Sequence, residues 1–140
     1  MSFEKKIFLI DDDPLYTFLT REILESTKIK SDIIDFNDSE IALEYLKKNL
    51  NTPEFLPDVI FLDLHMQVLD GWEFIDQFNE MNLSNKKRIV LYVVSSSISP
   101  HDIEKSKTRP IVSGFIVKPI KAEQFTEIIG NISGNSSDDN

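Results

Sequence analysis

Apolar residues follow two rhythms along this chain. Short unbroken runs rich in β-branched and aromatic residues, at 7–10, 59–62 and 89–94, read as strands buried on both faces. Residues 32–36 and 114–117 add two shorter strands. Between these runs the apolar positions recur at helical spacing. Leu15, Phe18, Leu19, Ile23 and Leu24 follow Pro14, a residue suited to a first helical turn, and predict a helix to about Ser26. Asn37-Asp38-Ser39 caps a second helix with Ile41, Ala42, Leu43, Tyr45 and Leu46 as its apolar positions. A loop at 49–57, with Pro53 and Pro57, leads to the central strand. Asp70-Gly71 makes a turn, and Trp72, Phe74, Ile75 and Phe78 mark a third helix. Pro100 opens a short polar helix through roughly Lys107, and residues 122–132 form the last. Five strands alternating with five helices predict an α/β fold, a parallel sheet covered on both faces.

Composition narrows this little but usefully. The 140 residues are one domain's worth, and 41% hydrophobic content is enough for a core. A domain at 1–132 and a polar, disordered acidic tail at 133–140 are expected. A net charge of −9 repels phosphate backbones and argues against nucleic-acid binding. No apolar run approaches the ~20 residues that cross a bilayer, and the N-terminus runs into a strand without a signal-peptide plan. Cysteine is absent, so disulfides and thiolate metal sites are excluded. A cytoplasmic location is the simplest expectation.

The chemistry gathers at strand ends. Four of the five strands end in Asp11-Asp12, Asp63, Ser95 and Lys118. In a parallel sheet these ends share one edge, where ligands bind. Three crowded carboxylates raise the cost of ionising each other, and a hard divalent cation such as Mg²⁺ relieves that. Lys118 offers a compact positive charge and Ser95 a hydroxyl donor. Together they suit phosphoryl transfer onto an Asp, which needs positioning and charge neutralisation above all. Singly, each residue has a plain structural role open to it: Asp12 and Asp13 as caps, Ser95 to Ser97 as a turn, Lys118 as a solvated charge. Their joint appearance at successive strand ends favours the chemical role. Asp11 and Asp12 directly follow the strand, which leaves Asp13 to cap the helix. Side-chain metal binding by His65 with His101 has no spacing to support it, and Trp72 near the mouth reads as core packing more readily than as a site residue.

Five ordered segments carry a family resemblance: Phe8-Leu9-Ile10-Asp11-Asp12-Asp13-Pro14, Phe61-Leu62-Asp63-Leu64-His65-Met66, Asp70-Gly71, Val94-Ser95 and Val117-Lys118-Pro119. Over about residues 5–132 the chain resembles the receiver domain of two-component response regulators, of the stand-alone, chemotaxis-regulator kind. That resemblance implies a flavodoxin-like, doubly wound five-stranded sheet in the order 2-1-3-4-5. It implies Asp63 as phosphoacceptor, Asp11, Asp12 and Asp63 as Mg²⁺ ligands, and His65 as a further ligand through its backbone carbonyl. Lys118 and Ser95 would assist the transfer, with Ser95 and Phe115 as the switch pair and a cis bond between Lys118 and Pro119. The implied partners are a histidine kinase or histidine phosphotransfer protein upstream and a separate effector protein downstream. Such a domain catalyses only its own phosphorylation and dephosphorylation. Two positions depart from the usual pattern: Gln67 stands where proline is frequent, and Ser95 where threonine is commoner. A degenerate receiver that binds without phosphorylation, or an Asp-nucleophile phosphatase, are the rival readings.

Overall fold

Every strand run in the sequence folds as a strand, and the parallel pairing follows from the helix that separates each pair. The computed structural model describes residues 4–66, 69–83 and 86–138, with side chains to residue 132. The strands are β1 (Lys5–Ile10), β2 (Ser31–Phe36), β3 (Val59–Asp63), β4 (Val90–Ser95) and β5 (Val112–Val117). The helices are α1 (Pro14–Ser26), α2 (Ser39–Lys48), α3 (Gly71–Glu80), α4 (Pro100–Lys107) and α5 (Ala122–Asp138). All pairs are parallel, and the sheet order is β2-β1-β3-β4-β5. This is the flavodoxin-like arrangement, and chain direction reverses its progress beside β1 and β3. Asp11 and Asp63 leave those two strands.

Period-2 alternation sorts the strand residues into two cores. Phe8, Ile10, Ile60, Leu62, Leu91 and Val93 face α2 and α3, against Leu43, Leu46, Phe74 and Phe78. Ile7, Leu9, Val59, Phe61 and Val94 face the other way, toward Leu24 of α1 and Phe125, Ile128 and Ile129 of α5. Every residue of β3 is buried. Fully burying one such Leu, Ile or Phe contributes about 1.5–3 kcal/mol, so β3 anchors the site it carries.

Local signals start the helices where they should. Asp13 caps α1, accepting from Leu15 N and Tyr16 N, and Asp38 caps α2. Asp70 with Glu73, and Ser99 with Asp102, form capping boxes on α3 and α4. Gly71 admits no side chain: a Cβ there would lie 2.8 Å from the Leu64 backbone. Gly71 is therefore packed directly against Leu64 and the Asp63 carbonyl.

Three expectations are corrected. The apolar positions of α1 are not all core: Leu15, Phe18 and Leu19 are 66%, 57% and 46% exposed, as is Ile41 of α2 at 51%. The inward face of α1 carries Leu24, as expected, but with Tyr16 and Thr20 at four-residue spacing before it, because the rotation of the helix about its axis decides which stripe is buried. The loop at 49–57 contains a 3₁₀ turn at Pro53–Phe55. Helix α5 continues to Asp138, past Ile132 where the apolar stripe ends, because backbone hydrogen bonding continues where side-chain periodicity does not.

Candidate functional site

The C-terminal edge of the sheet is knitted beyond the strands themselves. Asp11 N donates to Phe36 O, Leu64 N to Val94 O, and Lys118 N to Ser95 O. These bonds carry the pairing one residue past each strand and hold the site residues in fixed register. Asp11 and Asp63 are buried, and Asp12 is exposed at the rim. Carboxylate oxygens of Asp11, Asp12 and Asp63 all lie within 4.8 Å of one another. Lys118, from the end of β5, reaches across to them, its Nζ 2.9 Å from Asp11 Oδ2 and 3.6 Å from Asp63 Oδ2. The Lys118–Pro119 bond is cis, as expected.

The electrostatics follow from burial and crowding. Burial pushes the Asp63 carboxyl above its ordinary range, the Asp11 charge adds to this, and the His65 N–H and Lys118 work against it. Burial acts to lower the Lys118 pKa, but its hydrogen bond and charge contact with Asp11, then the charge of Asp63, outweigh that and hold it above its usual value. The ammonium is therefore fully charged, and one carboxylate of the cluster carries an ionisation cost. A set of three oxygen donors around one point, two of them buried, fits a hard divalent cation that keeps several waters. Asp11 Oδ1 also accepts from Asp13 N at 2.9 Å, and Asp63 Oδ1 from His65 N at 3.2 Å, which orients both carboxylates.

Of the residues read from the sequence, Asp11, Asp12, Asp63 and Lys118 converge as expected. Ser95 is at the same edge and fully buried, but its hydroxyl donates to Ser97 O at 2.7 Å within its own turn. Phe115 is half-buried and packs against the α2–α3 core from the neighbouring strand. His65 is exposed, and its side chain is not beside His101 in any ligand set among the described residues. Gln67 lies outside the described residues.

Sequence reasoning missed one neighbour, Tyr16, and one role of Trp72. Tyr16 lies under Lys118, the ammonium 4.1 Å from the ring centroid. It stands one helical turn after Asp12, which was the available signal. Trp72 is buried, as read, but it is also a fastener. Its ring is flanked by Lys105 of α4 and by Arg109 just past it, at 5.5 and 5.2 Å. Arg109 in turn forks onto both Asp76 oxygens, at 2.8 and 3.0 Å. Asp102 is the one buried residue of α4, so that helix is held mainly by these polar contacts.

A family model described as the response regulator receiver domain matches residues 7–130. The chain belongs to the response regulator receiver family. Among similar proteins, the chemotaxis protein CheY of Halobacterium salinarum is 25% identical over 91% of this chain and 96% of its own. A probable methanogenesis regulatory protein, FilR2 of Methanothrix harundinacea, is 24% identical over 90% of this chain and 79% of its own. A two-component response regulator from Cytophaga hutchinsonii superposes with a TM-score of 0.83 at 26% identity, over 94% of this chain and 99% of its own. The receiver fold is thus matched nearly end to end. No helix among the described residues is long and apolar enough to cross a membrane.

Proposed function

We propose that this receiver accepts a phosphoryl group on Asp63 from a phosphohistidine and passes the signal on through a surface that changes with phosphorylation. The observation that carries this reading is the placement of Asp63: a buried carboxylate at the end of the central strand, with Lys118 3.6 Å away and two further acids beside it. An Asp63 oxygen attacks phosphorus, the phosphorus–nitrogen bond breaks, and the electron pair leaves with the donor imidazole, which takes up a proton. Lys118 balances charge on one phosphoryl oxygen. Ser95 gives up its bond to Ser97 O and donates to another. Asp11, Asp12, Asp63 and the His65 carbonyl would hold Mg²⁺, which supplies positive charge to the phosphoryl oxygens when bound. The site residues hold and neutralise; the donor brings the reactive group. The protein is therefore a switch that also hydrolyses its own acyl phosphate, rather than a turnover enzyme.

The donor is a histidine kinase or histidine phosphotransfer protein, and the output goes to a separate effector, in the cytoplasm. Incubation with acetyl phosphate and Mg²⁺, followed by mass spectrometry, tests the reading. One phosphate adduct that maps to Asp63 supports it. An unmodified chain would favour an interaction module that works without phosphorylation.

A further inference from the structure

Tyr16 is absent from the chemistry above, yet it touches the group on which that chemistry turns. Asp13 sets the start of α1, and this places Tyr16 on the stripe with Thr20 and Leu24 that meets the sheet. Its ring lies 4.1 Å from Lys118 Nζ, while the same ammonium is 2.9 Å from Asp11 and 3.6 Å from Asp63. Two carboxylates and one aromatic face therefore bound the ammonium. A lysine head on a flexible four-carbon stem stays at one point only if its surroundings hold it there. An aromatic face attracts a cation through its quadrupole and competes for no proton. The Tyr16 hydroxyl faces elsewhere. It is buried beside the Thr20 hydroxyl and the Ile120 backbone N–H, without a hydrogen bond of good geometry. Burial raises its pKa, so the phenol stays neutral and adds no charge to the pocket. Tyr16, Asp11 and Asp63 line one small cavity together with Thr20 and Ile120, so no layer of side chains separates the ring from the acids.

We infer that Tyr16 is a positioning residue for Lys118: its ring face holds the ammonium over the Asp11–Asp63 pair, and the rate at which Asp63 takes a phosphoryl group depends on that ring. The inference rests on the phosphoacceptor reading of Asp63. A bound cation of this kind contributes a factor of roughly three to thirty, depending on how far it is desolvated.

The test compares the parent chain with Tyr16→Leu, which removes the ring, and Tyr16→Phe, which keeps it. Tyr16→Met stands in if the leucine variant does not fold. The first readout is the proton shift of the Lys118 ε-methylene by NMR, taken without any phosphoryl donor. Protons above an aromatic face move upfield, so the parent and Tyr16→Phe should share an upfield signal that Tyr16→Leu loses. The second is the rate of acyl phosphate formation from acetyl phosphate with Mg²⁺. Tyr16→Leu should react about three- to thirty-fold more slowly, with Tyr16→Phe recovering most of the loss. A ring that merely fills space would change the melting temperature and leave the rate alone; equal rates in parent and Tyr16→Leu overturn the inference. So does an ε-methylene signal that is the same in all three. A parent chain that forms no acyl phosphate removes the phosphoacceptor reading and the rate claim with it. The ε-methylene signal still decides whether the ring holds the ammonium.

Discussion

Lys118 sits closer to Asp11, at 2.9 Å, than to Asp63, at 3.6 Å. In the proposed transfer, the lysine thus starts out paired with the acid that is not the proposed acceptor. Asp63 keeps one oxygen less engaged, and a phosphoryl group arriving there finds the ammonium within a short side-chain movement.

That pairing makes Lys118 a stabilising residue as well as a proposed functional one. Lys118→Ala leaves Asp11 and Asp63 facing each other without a counter-charge. Removing one partner of a buried pair costs about 3–5 kcal/mol, and slight solvent access at Lys118 puts this case near 2–3 kcal/mol. Urea unfolding at pH 7 measures it, and added Mg²⁺ should shrink the loss. An unchanged midpoint would mean the pair contributes nothing.

Asp63→Asn should form no acyl phosphate and yet melt higher than the parent at pH 7. Burial and then the Asp11 charge raise the Asp63 pKa above its ordinary 3.8. An acid with a raised folded-state pKa supports the fold below its unfolded pKa, and that support is lost as pH rises through the folded value. At neutral pH the ionised carboxylate therefore opposes folding. The melting difference should fade as pH falls toward 3.8. Calorimetry across pH 4–7 checks it; a variant that melts lower throughout would contradict the sign.

Mg²⁺ should stabilise the parent through the cluster of Asp11, Asp12 and Asp63. A ligand at ten times its Kd adds about 1.4 kcal/mol, several degrees for a domain of this size. Asp12→Ala should lose most of that increment and little intrinsic stability, because Asp12 is exposed at the rim. Equal Mg²⁺ dependence in both proteins would place the ion elsewhere.

The switch should pass through Ser95. Beryllofluoride, a stable phosphoryl mimic, should draw the Ser95 hydroxyl from Ser97 O and let Phe115 turn inward. A ligand shifts such an equilibrium only by contacts that differ between the states, and this bond is one. Amide shifts should then change across α4, β5 and α5. Trp72 should report the same event by fluorescence, since Lys105 and Arg109 at the end of α4 lie against its ring. Ser95→Ala should still be phosphorylated while these changes shrink. Shifts confined to the loops around Asp63 would rule this route out.

What the sequence by itself determined is the framework and the main site. Buried strand runs can pair in parallel only with helices between them, so their C-terminal ends share one edge. Asp11, Asp12, Asp63 and Lys118 were legible as a group because each directly follows such a run. Helix starts were legible too, because Asp13 and Asp38 act on backbone groups two or three residues away. Tertiary structure decided everything that depends on angle and reach. Hydrophobic spacing marks α1 as a helix but cannot say which stripe meets the sheet; docking left Leu15, Phe18 and Leu19 outside and turned Tyr16 inward. The preference of Lys118 for Asp11 over Asp63 depends on a difference under an ångström across four strands. Sequence order carries no such distances, because they arise only when separate elements pack against one another.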